Sequence, residues 1–133
     1  DCIVMVYYVG KGKRTAFGLG AFLVGLVGEN DQVVTIAKIG TGLSDEQFRD
    51  LKKRCEVLVT PDKPLQYQVH KNLLPDAWVL LGIVAEIAAD EITKSPVHSA
   101  GVALRFPRLI KLRDDKGWQE ATTAAEVTAI AGY

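Results

Sequence analysis

Short apolar segments, separated by glycines, prolines and polar turns, run along most of this chain. Residues 2–9 (CIVMVYYV), 19–27 (LGAFLVGLV) and 33–39 (VVTIAKI) are rich in β-branched and aromatic side chains, which is typical of buried strands. Polar residues separate these segments, including a basic, glycine-rich loop at 10–14. The pattern predicts that the first three strands form a meander.

A helical pattern follows at residues 44–57. Apolar side chains recur there at helical spacing and predict one face turned to the core: Phe48, Leu51, Cys55 and Leu58. Ser44 and Gln47 have the spacing of a capping box, in which each side chain bonds the backbone of the other. The segment therefore predicts a helix that starts at Ser44.

The second half of the chain alternates loops with longer apolar segments. Three prolines mark residues 60–76 as a loop, and residues 78–89 predict a fourth strand that bends near Gly82. Residues 93–101 read as a turn-rich connection. Residues 102–113 predict a fifth strand interrupted by Pro107, because proline cannot donate a hydrogen bond to a sheet.

A short final helix is predicted where Thr123 and Glu126 again have capping-box spacing. Five strands, a helix between the third and fourth strands, and this C-terminal helix predict an all-β barrel of the OB-fold type. With 133 residues, the chain is expected to form one domain over 1–133.

Composition narrows the function classes only slightly. The chain has 16 basic and 16 acidic side chains, so any affinity for nucleic acid must come from local clusters. Cys2 and Cys55 are expected to be two buried thiols rather than a disulfide or a metal site. The apolar runs are too short to cross a bilayer, and no signal peptide is visible, so no membrane partner is expected.

Three basic clusters could bind phosphates. Residues 104–116 hold five basic side chains against two acidic ones, a net charge of +3. The segment reads either as a phosphate-binding strand or as an edge strand charged against aggregation, and composition alone favours the second reading. A glycine-rich loop carries Lys11, Lys13 and Arg14, and Lys38 precedes the helix N-terminus, where anions can bind. An ordinary surface loop and a structural turn are the commoner outcomes for such features.

Groups for a self-contained active site are sparse. His70 and His98 lack partners at spacings that suggest a triad or a metal site, and His98 is expected at the surface of a loop. The carboxylates near the fourth strand show no clear acid–base pairing: Glu86, Asp90 and Glu91. The sequence therefore predicts neither an independent catalytic centre nor a bound metal.

Several segments, taken together and in order, resemble the C-terminal domain of ATP-dependent DNA ligases. They are GKGKR at 10–14, KIGTGLSD at 38–45, PDAW at 75–78, ITKSP at 92–96 and LRFPRLIKLRDDK at 104–116, followed by ATTAAEV. The resemblance covers essentially the whole chain. In that family a separate nucleotidyltransferase domain carries a KxDG lysine that becomes adenylated. No KxDG occurs here, so the chain alone is expected to be inactive.

The resemblance implies two roles for this domain. In the first, it closes over ATP, and the family's RxDK element assists departure of pyrophosphate. That element is Arg113, Asp115 and Lys116 here, with the two cations on phosphates and Asp115 positioning one of them. In the second, the domain swings to clamp nicked duplex DNA. The residues implied at the DNA are Lys11, Lys13, Arg14, Lys38, Arg105, Phe106 and Arg108, with Phe106 as an apolar wedge in the minor groove. Without the resemblance, Phe106 would be read as a core residue.

The implied cofactors are ATP and Mg²⁺ in the full-length enzyme. The implied partners are nicked DNA, the enzyme's own nucleotidyltransferase domain and, as a further candidate, a sliding clamp. A bacterial or archaeal cytoplasm is the expected location. The alternatives are the OB domain of an RNA ligase or capping enzyme, a non-catalytic single-strand-binding module and a protein-interaction domain.

Overall fold

A computed structural model describes residues 1–8, 21–40, 43–70, 73 and 77–132 of the chain. The strands of this part are β1 (Cys2–Tyr8), β2 (Ala21–Val27), β3 (Val33–Ile39), β4 (Val59–Thr60), β5 (Tyr67–Gln68), β6 (Ala77–Val79), β7 (Val84–Ala88), β8 (Glu91–Lys94), β9 (Val102–Arg105) and β10 (Arg108–Leu112). The α-helices of this part are α1 (Asp45–Leu58) and α2 (Ala124–Ala131), and two short 3-10 helices span Glu29–Asp31 and Trp118–Glu120.

Strand β1 lies at the centre of the main sheet. It pairs antiparallel with β2 on one side and with β6 and β7 on the other, and the sheet runs in the order β10-β7-β1-β2-β3-β5. The predicted meander of the first three strands is confirmed. The sheet curls into a half-barrel that carries two helices, which agrees with the predicted OB-fold class.

Both faces of β1 are buried. Cys2 and Val4 face one apolar cluster, which includes residues of α1, whereas Ile3 and Met5 face a second cluster around Tyr67. Successive side chains of a strand point to opposite faces, so a strand buried on both sides reads as the continuous apolar run seen in the sequence. This central strand fixes the positions of the neighbouring strands that carry the candidate site.

Helix α1 begins as its sequence predicts. The backbone N–H of Ser44 donates to Gln47 Oε1 at 3.0 Å, and the backbone N–H of Gln47 donates to Ser44 Oγ at 3.1 Å. Phe48, Leu51 and Cys55 are fully buried. The two cysteines are free, buried thiols, as predicted, and burial raises the pKa of Cys2 to about 11 and that of Cys55 to about 12. At α2, Thr123 Oγ1 accepts from the backbone N–H of Glu126, so the second predicted cap is also confirmed.

The prediction of one fifth strand over 102–113 is wrong. Strand β9 pairs with β8 in a separate two-stranded sheet, whereas β10 pairs with β7 in the main sheet. The chain changes sheets at Phe106, whose φ of 56° is left-handed, and at Pro107, which has no N–H to donate. A register shift between Leu109 and Lys111 then breaks the expected alternation.

The other differences also concern short strands. The connection expected from 93 begins inside β8, because Thr93 and Lys94 pair with Ala103 and Val102. The loop expected over 60–76 begins with the end of β4 and contains β5. The fourth predicted strand is divided into β6 and β7 around Gly82.

The segment between β8 and β9 is fastened to β3 by a polar cluster. Thr35, which is fully buried, accepts from the Ser99 N–H at 3.0 Å through Oγ1, and its own N–H donates to Ser99 Oγ at 2.7 Å. His98 is half-buried, with Nδ1 3.1 Å from Thr35 Oγ1, so the prediction of a surface histidine is wrong. Burial lowers the pKa of His98.

Candidate phosphate and nucleic-acid interface

A compact ionic cluster lies just beyond the end of β10. The Arg113 guanidinium holds Asp115 through two hydrogen bonds, from Nε to Oδ1 and from Nη2 to Oδ2, both 3.0 Å long. This paired geometry suits a planar guanidinium and a carboxylate. The Arg113 bonds hold the pKa of Asp115 down at about 2, so the carboxylate is charged at neutral pH.

The remaining edge of the Arg113 guanidinium faces two more acids. Its Nη1 lies 3.4 Å from Asp1 Oδ1 and 3.4 Å from Glu86 Oε1. Lys116 Nζ donates to Asp1 Oδ2 at 2.5 Å. The fold therefore brings the predicted trio of Arg113, Asp115 and Lys116 together, and it adds two carboxylates to them.

Sequence reasoning linked neither of the added carboxylates to Arg113 or Lys116. Asp1 lies 115 positions from Lys116, and no local pattern links the two residues. Glu86 was noted, but without a partner. It reaches Arg113 because β7 and β10 are neighbouring strands, with Glu86 paired to Lys111 in the register. Knowledge that the fourth and fifth OB strands pair would have suggested the Glu86 contact.

The cluster contains two cations and three carboxylates, so its net charge is −1. Arg113 is only 19% exposed, whereas Lys116 is 30% exposed. A phosphate could therefore approach Lys116 more readily than Arg113, and the ammonium, which has three donors, can contact it while still paired with Asp1. Within the described ranges, no group of three or more histidine, cysteine and acidic side chains is arranged to hold a metal ion.

Helix α1 anchors the same loop from the other side. Arg54 donates to Asp114 through both of its terminal nitrogens and also bonds Asp50 on its own helix. These bonds raise the pKa of Arg54 and lower that of Asp114. The loop from Arg113 to Lys116 is thus held between α1 and the start of β1.

A second group of predicted residues lies at the crossing from β9 to β10. The Phe106 ring is 61% exposed, so the reading of Phe106 as a core residue is wrong. Its left-handed backbone turns the ring outward, and the Arg105 guanidinium lies 5.1 Å from the ring centre. Arg108 Nη1 donates to the Phe106 carbonyl oxygen at 3.3 Å. The three predicted DNA-binding residues of this segment therefore form one exposed unit.

Each arginine of this unit has an acidic neighbour, one in strand β8 and one in the turn just before β8. Arg105 Nη1 lies 3.4 Å from Glu91 Oε2, and Arg108 Nη1 lies 3.0 Å from Asp90 Oδ1. Both pairs are exposed, so they contribute little stability and can exchange partners.

The other predicted DNA-binding residues are separate from this unit in the sequence. Lys38 is exposed near the end of β3, with Nζ 4.1 Å from the centre of the Tyr8 ring. Lys11, Lys13 and Arg14 lie outside the described residues, as do Thr41 and Gly42 of the predicted anion site.

Among the described helices, none is long and apolar enough to cross a membrane.

Solved ligase structures share this fold. The ligase domain of LigD from M. tuberculosis superimposes with a TM-score of 0.69 and 26% identity, over 91% of this chain and 37% of that one. A mycobacterial DNA ligase D complexed with ATP and MES gives a TM-score of 0.64 at 24% identity, over 92% of this chain and 38% of that one. The second likeness concerns the fold alone.

Sequence relatives point the same way. The chain is 42% identical to a probable DNA ligase of Dictyoglomus turgidum, over 96% of this chain and 23% of that protein. It is 38% identical to a DNA ligase of Ignicoccus hospitalis, over 98% of this chain and 23% of that protein. It is 36% identical to DNA ligase 1 of Schizosaccharomyces pombe, over 96% of this chain and 18% of that protein.

The chain thus spans less than a quarter of the length of these relatives. Residues 15–116 match the family described as the C-terminal region of ATP-dependent DNA ligases. That range includes the Phe106 unit and every member of the Arg113 cluster except Asp1. The chain therefore belongs to the family of ATP-dependent DNA ligase C-terminal regions.

Proposed function

We propose that this chain is the OB-fold domain of an enzyme that seals nicks in duplex DNA with ATP. The observation that carries the proposal is the convergence of Arg113, Asp115 and Lys116 within the matched family region. A nucleotidyltransferase domain elsewhere in the full enzyme supplies the lysine that becomes adenylated. The 1–133 segment is itself one domain, and it works together with the nucleotidyltransferase domain.

The first role is assistance to self-adenylation. Pyrophosphate gains negative charge as it leaves ATP, and a fixed cation close to it stabilises the transition state. Lys116 is the better exposed of the two cations and acts on the phosphates directly. Arg113 also acts on the phosphates, from a position held by its two bonds to Asp115. Mg²⁺ is taken to arrive with ATP, because Mg²⁺ in such sites usually binds substrate phosphates and waters together with one or two carboxylates.

The second role is binding of the nicked duplex. The Phe106 ring and its two arginines present an apolar wedge flanked by cations, which is a combination that suits a minor groove. Lys38, and Lys11, Lys13 and Arg14 in the loop, would bind backbone phosphates. Glu91 and Asp90 would give up their arginines when phosphates replace them.

The first role is tested by Arg113→Ala and Lys116→Ala in the full ligase. Each substitution should slow self-adenylation by a barrier of about 2–4 kcal/mol, because one charge contact to the leaving group is lost. Sealing of nicks that already carry the 5′-adenylate should be affected less. Equal damage to both steps would reject the role at ATP and point to DNA binding or to folding.

The names of the relatives favour a DNA ligase over the RNA ligase and capping-enzyme alternatives, and over a non-catalytic module. A sliding clamp stays a candidate partner. The bacterial or archaeal cytoplasm also stays a prediction, because the relatives include a ligase of Schizosaccharomyces pombe.

A further inference from the structure

A residue at the opposite end of the chain helps to set the position of the Lys116 side chain. Asp1 Oδ2 accepts from Lys116 Nζ at 2.5 Å, and Asp1 Oδ1 lies 3.4 Å from Arg113 Nη1. The Asp1 carboxylate is only 13% exposed. A carboxylate this enclosed needs cationic partners, so the three groups hold one another in place.

The Asp1 backbone is fixed independently of these ion pairs. Its carbonyl oxygen accepts from the Thr122 N–H at 2.9 Å. The next residue, Cys2, already pairs with Ala85 in the main sheet. Asp1 is therefore a rigid point, whereas lysine has four rotatable side-chain bonds and loses much entropy when it is ordered.

Arg113 and Lys116 depend on Asp1 to different degrees. Arg113 is also held by Asp115 and Glu86. For Lys116, the ion pair found within the described part of the chain is the one with Asp1. Loss of the Asp1 charge should therefore release Lys116 and leave Arg113 in place.

We infer that Asp1 is a positioning residue for self-adenylation, acting by holding Lys116 in the orientation from which it reaches the ATP phosphates. This inference rests on the proposed function and adds a residue outside the Arg113–Lys116 element. Asp1 contacts no phosphate itself. Because Asp1 already restricts the Lys116 side chain, less conformational entropy is lost when the transition state forms.

The test is a double-mutant cycle in the full ligase. Asp1→Asn keeps the size of the side chain and removes its charge. At saturating ATP, it should slow self-adenylation about tenfold, which is the order expected from freeing one lysine side chain. Sealing of nicked DNA that already carries the 5′-adenylate should change less than about twofold. In a Lys116→Ala background, Asp1→Asn should have almost no further effect on adenylation.

Glu86→Gln is the matched control, because among the described residues Glu86 forms an ion pair with Arg113 and none with Lys116. Its effect should be the same with and without Lys116. Asp62→Asn, in the exposed connection between β4 and β5, controls for the loss of one negative charge. Neither control should reproduce the non-additivity between Asp1 and Lys116.

The outcomes separate the inference from the proposed function. If Lys116→Ala leaves adenylation unchanged, the proposed role of Lys116 fails, and this inference fails with it. If Lys116→Ala slows adenylation but Asp1→Asn adds its full effect to it, only the inference is overturned. Faster adenylation by the Asp1→Asn variant would also overturn the inference, because Asp1 would then be holding Lys116 away from the ATP phosphates. An Asp1→Asn loss that lowered sealing and adenylation together, and that persisted without Lys116, would be a folding defect and would also overturn the inference.

Discussion

The Arg105 guanidinium lies 5.1 Å from the centre of the Phe106 ring, and both side chains are exposed to solvent. An apolar ring is held outward here because its residue has left-handed φ and precedes Pro107. The side chain is therefore available for a binding partner, and it buries little surface within the domain itself.

Phe106→Ala should leave the stability of the domain within about 0.5 kcal/mol, because the ring is not part of the core. In the full ligase the same substitution should weaken nick binding or sealing. Phe48→Ala is the matched control: its ring is fully buried and should cost about 3–5 kcal/mol. Circular-dichroism melts of both variants compare the two positions. A large drop in melting temperature for Phe106→Ala would remove it from the interface.

Neutralising Lys11, Lys13 and Arg14 should reduce the salt dependence of nick binding by the full ligase. Each lost phosphate contact lowers the slope of log affinity against log salt by about 0.9, so the triple alanine variant should lose about 2–3 units of slope. Phe106→Ala should leave the slope nearly unchanged, because it removes no charge. An unaltered slope in the triple variant would place the loop away from DNA.

The His98 contact with Thr35 predicts a pH-dependent stability. Burial lowers the pKa of His98 below its ordinary value near 6.5, so the unfolded chain takes up the proton first as the pH falls. The free energy of unfolding should therefore decrease as the pH drops below about 6.5, until the lower pKa of the folded state is reached. Denaturant titrations from pH 7 to 5 measure this slope. His98→Asn should flatten it, and an equally steep slope in the variant would assign the effect to other groups.

Gly25 should not tolerate a larger side chain. A Cβ at this position would lie 2.4 Å from Met5 Sδ and 2.5 Å from the Val34 carbonyl oxygen, and the backbone oxygen cannot move without disturbing β3. Gly25→Ala should destabilise the domain by about 1–3 kcal/mol or more. Gly117→Ala is the control, since a Cβ there meets nothing within 4 Å. Equal melting temperatures for the two variants would contradict the packing around Met5.

Local signals predicted the secondary structure well wherever the cause was local. The Ser44 and Thr123 caps bond residues three positions away, so their partners are visible in the sequence. The first three strands also follow from the sequence, because each is a continuous apolar run rich in β-branched side chains. The division between β9 and β10 was not predicted, because proline in the sequence does not distinguish a bulge from a change of sheet.

The candidate site, too, could be predicted from the sequence only where its contacts are local. The Arg113–Asp115 pair was expected from a resemblance within one short segment, and it lies within one loop. Asp1 could not be found in this way, because a contact across 115 positions depends on how β1 and β10 are placed by the whole sheet. Phe106 was identified by resemblance, while its exposure depends on a backbone angle that the sequence does not reveal.

The central place of β1 has a consequence for the order in which the domain opens. Amide protons of β1 should exchange with deuterium only when the domain unfolds globally, since Ile3 to Val6 are fully enclosed and the strand has neighbours on both sides. The β8–β9 ribbon belongs to another sheet and should exchange through smaller openings. The surface around Phe106 can therefore open locally while strand β1, which fixes the position of Asp1, stays folded.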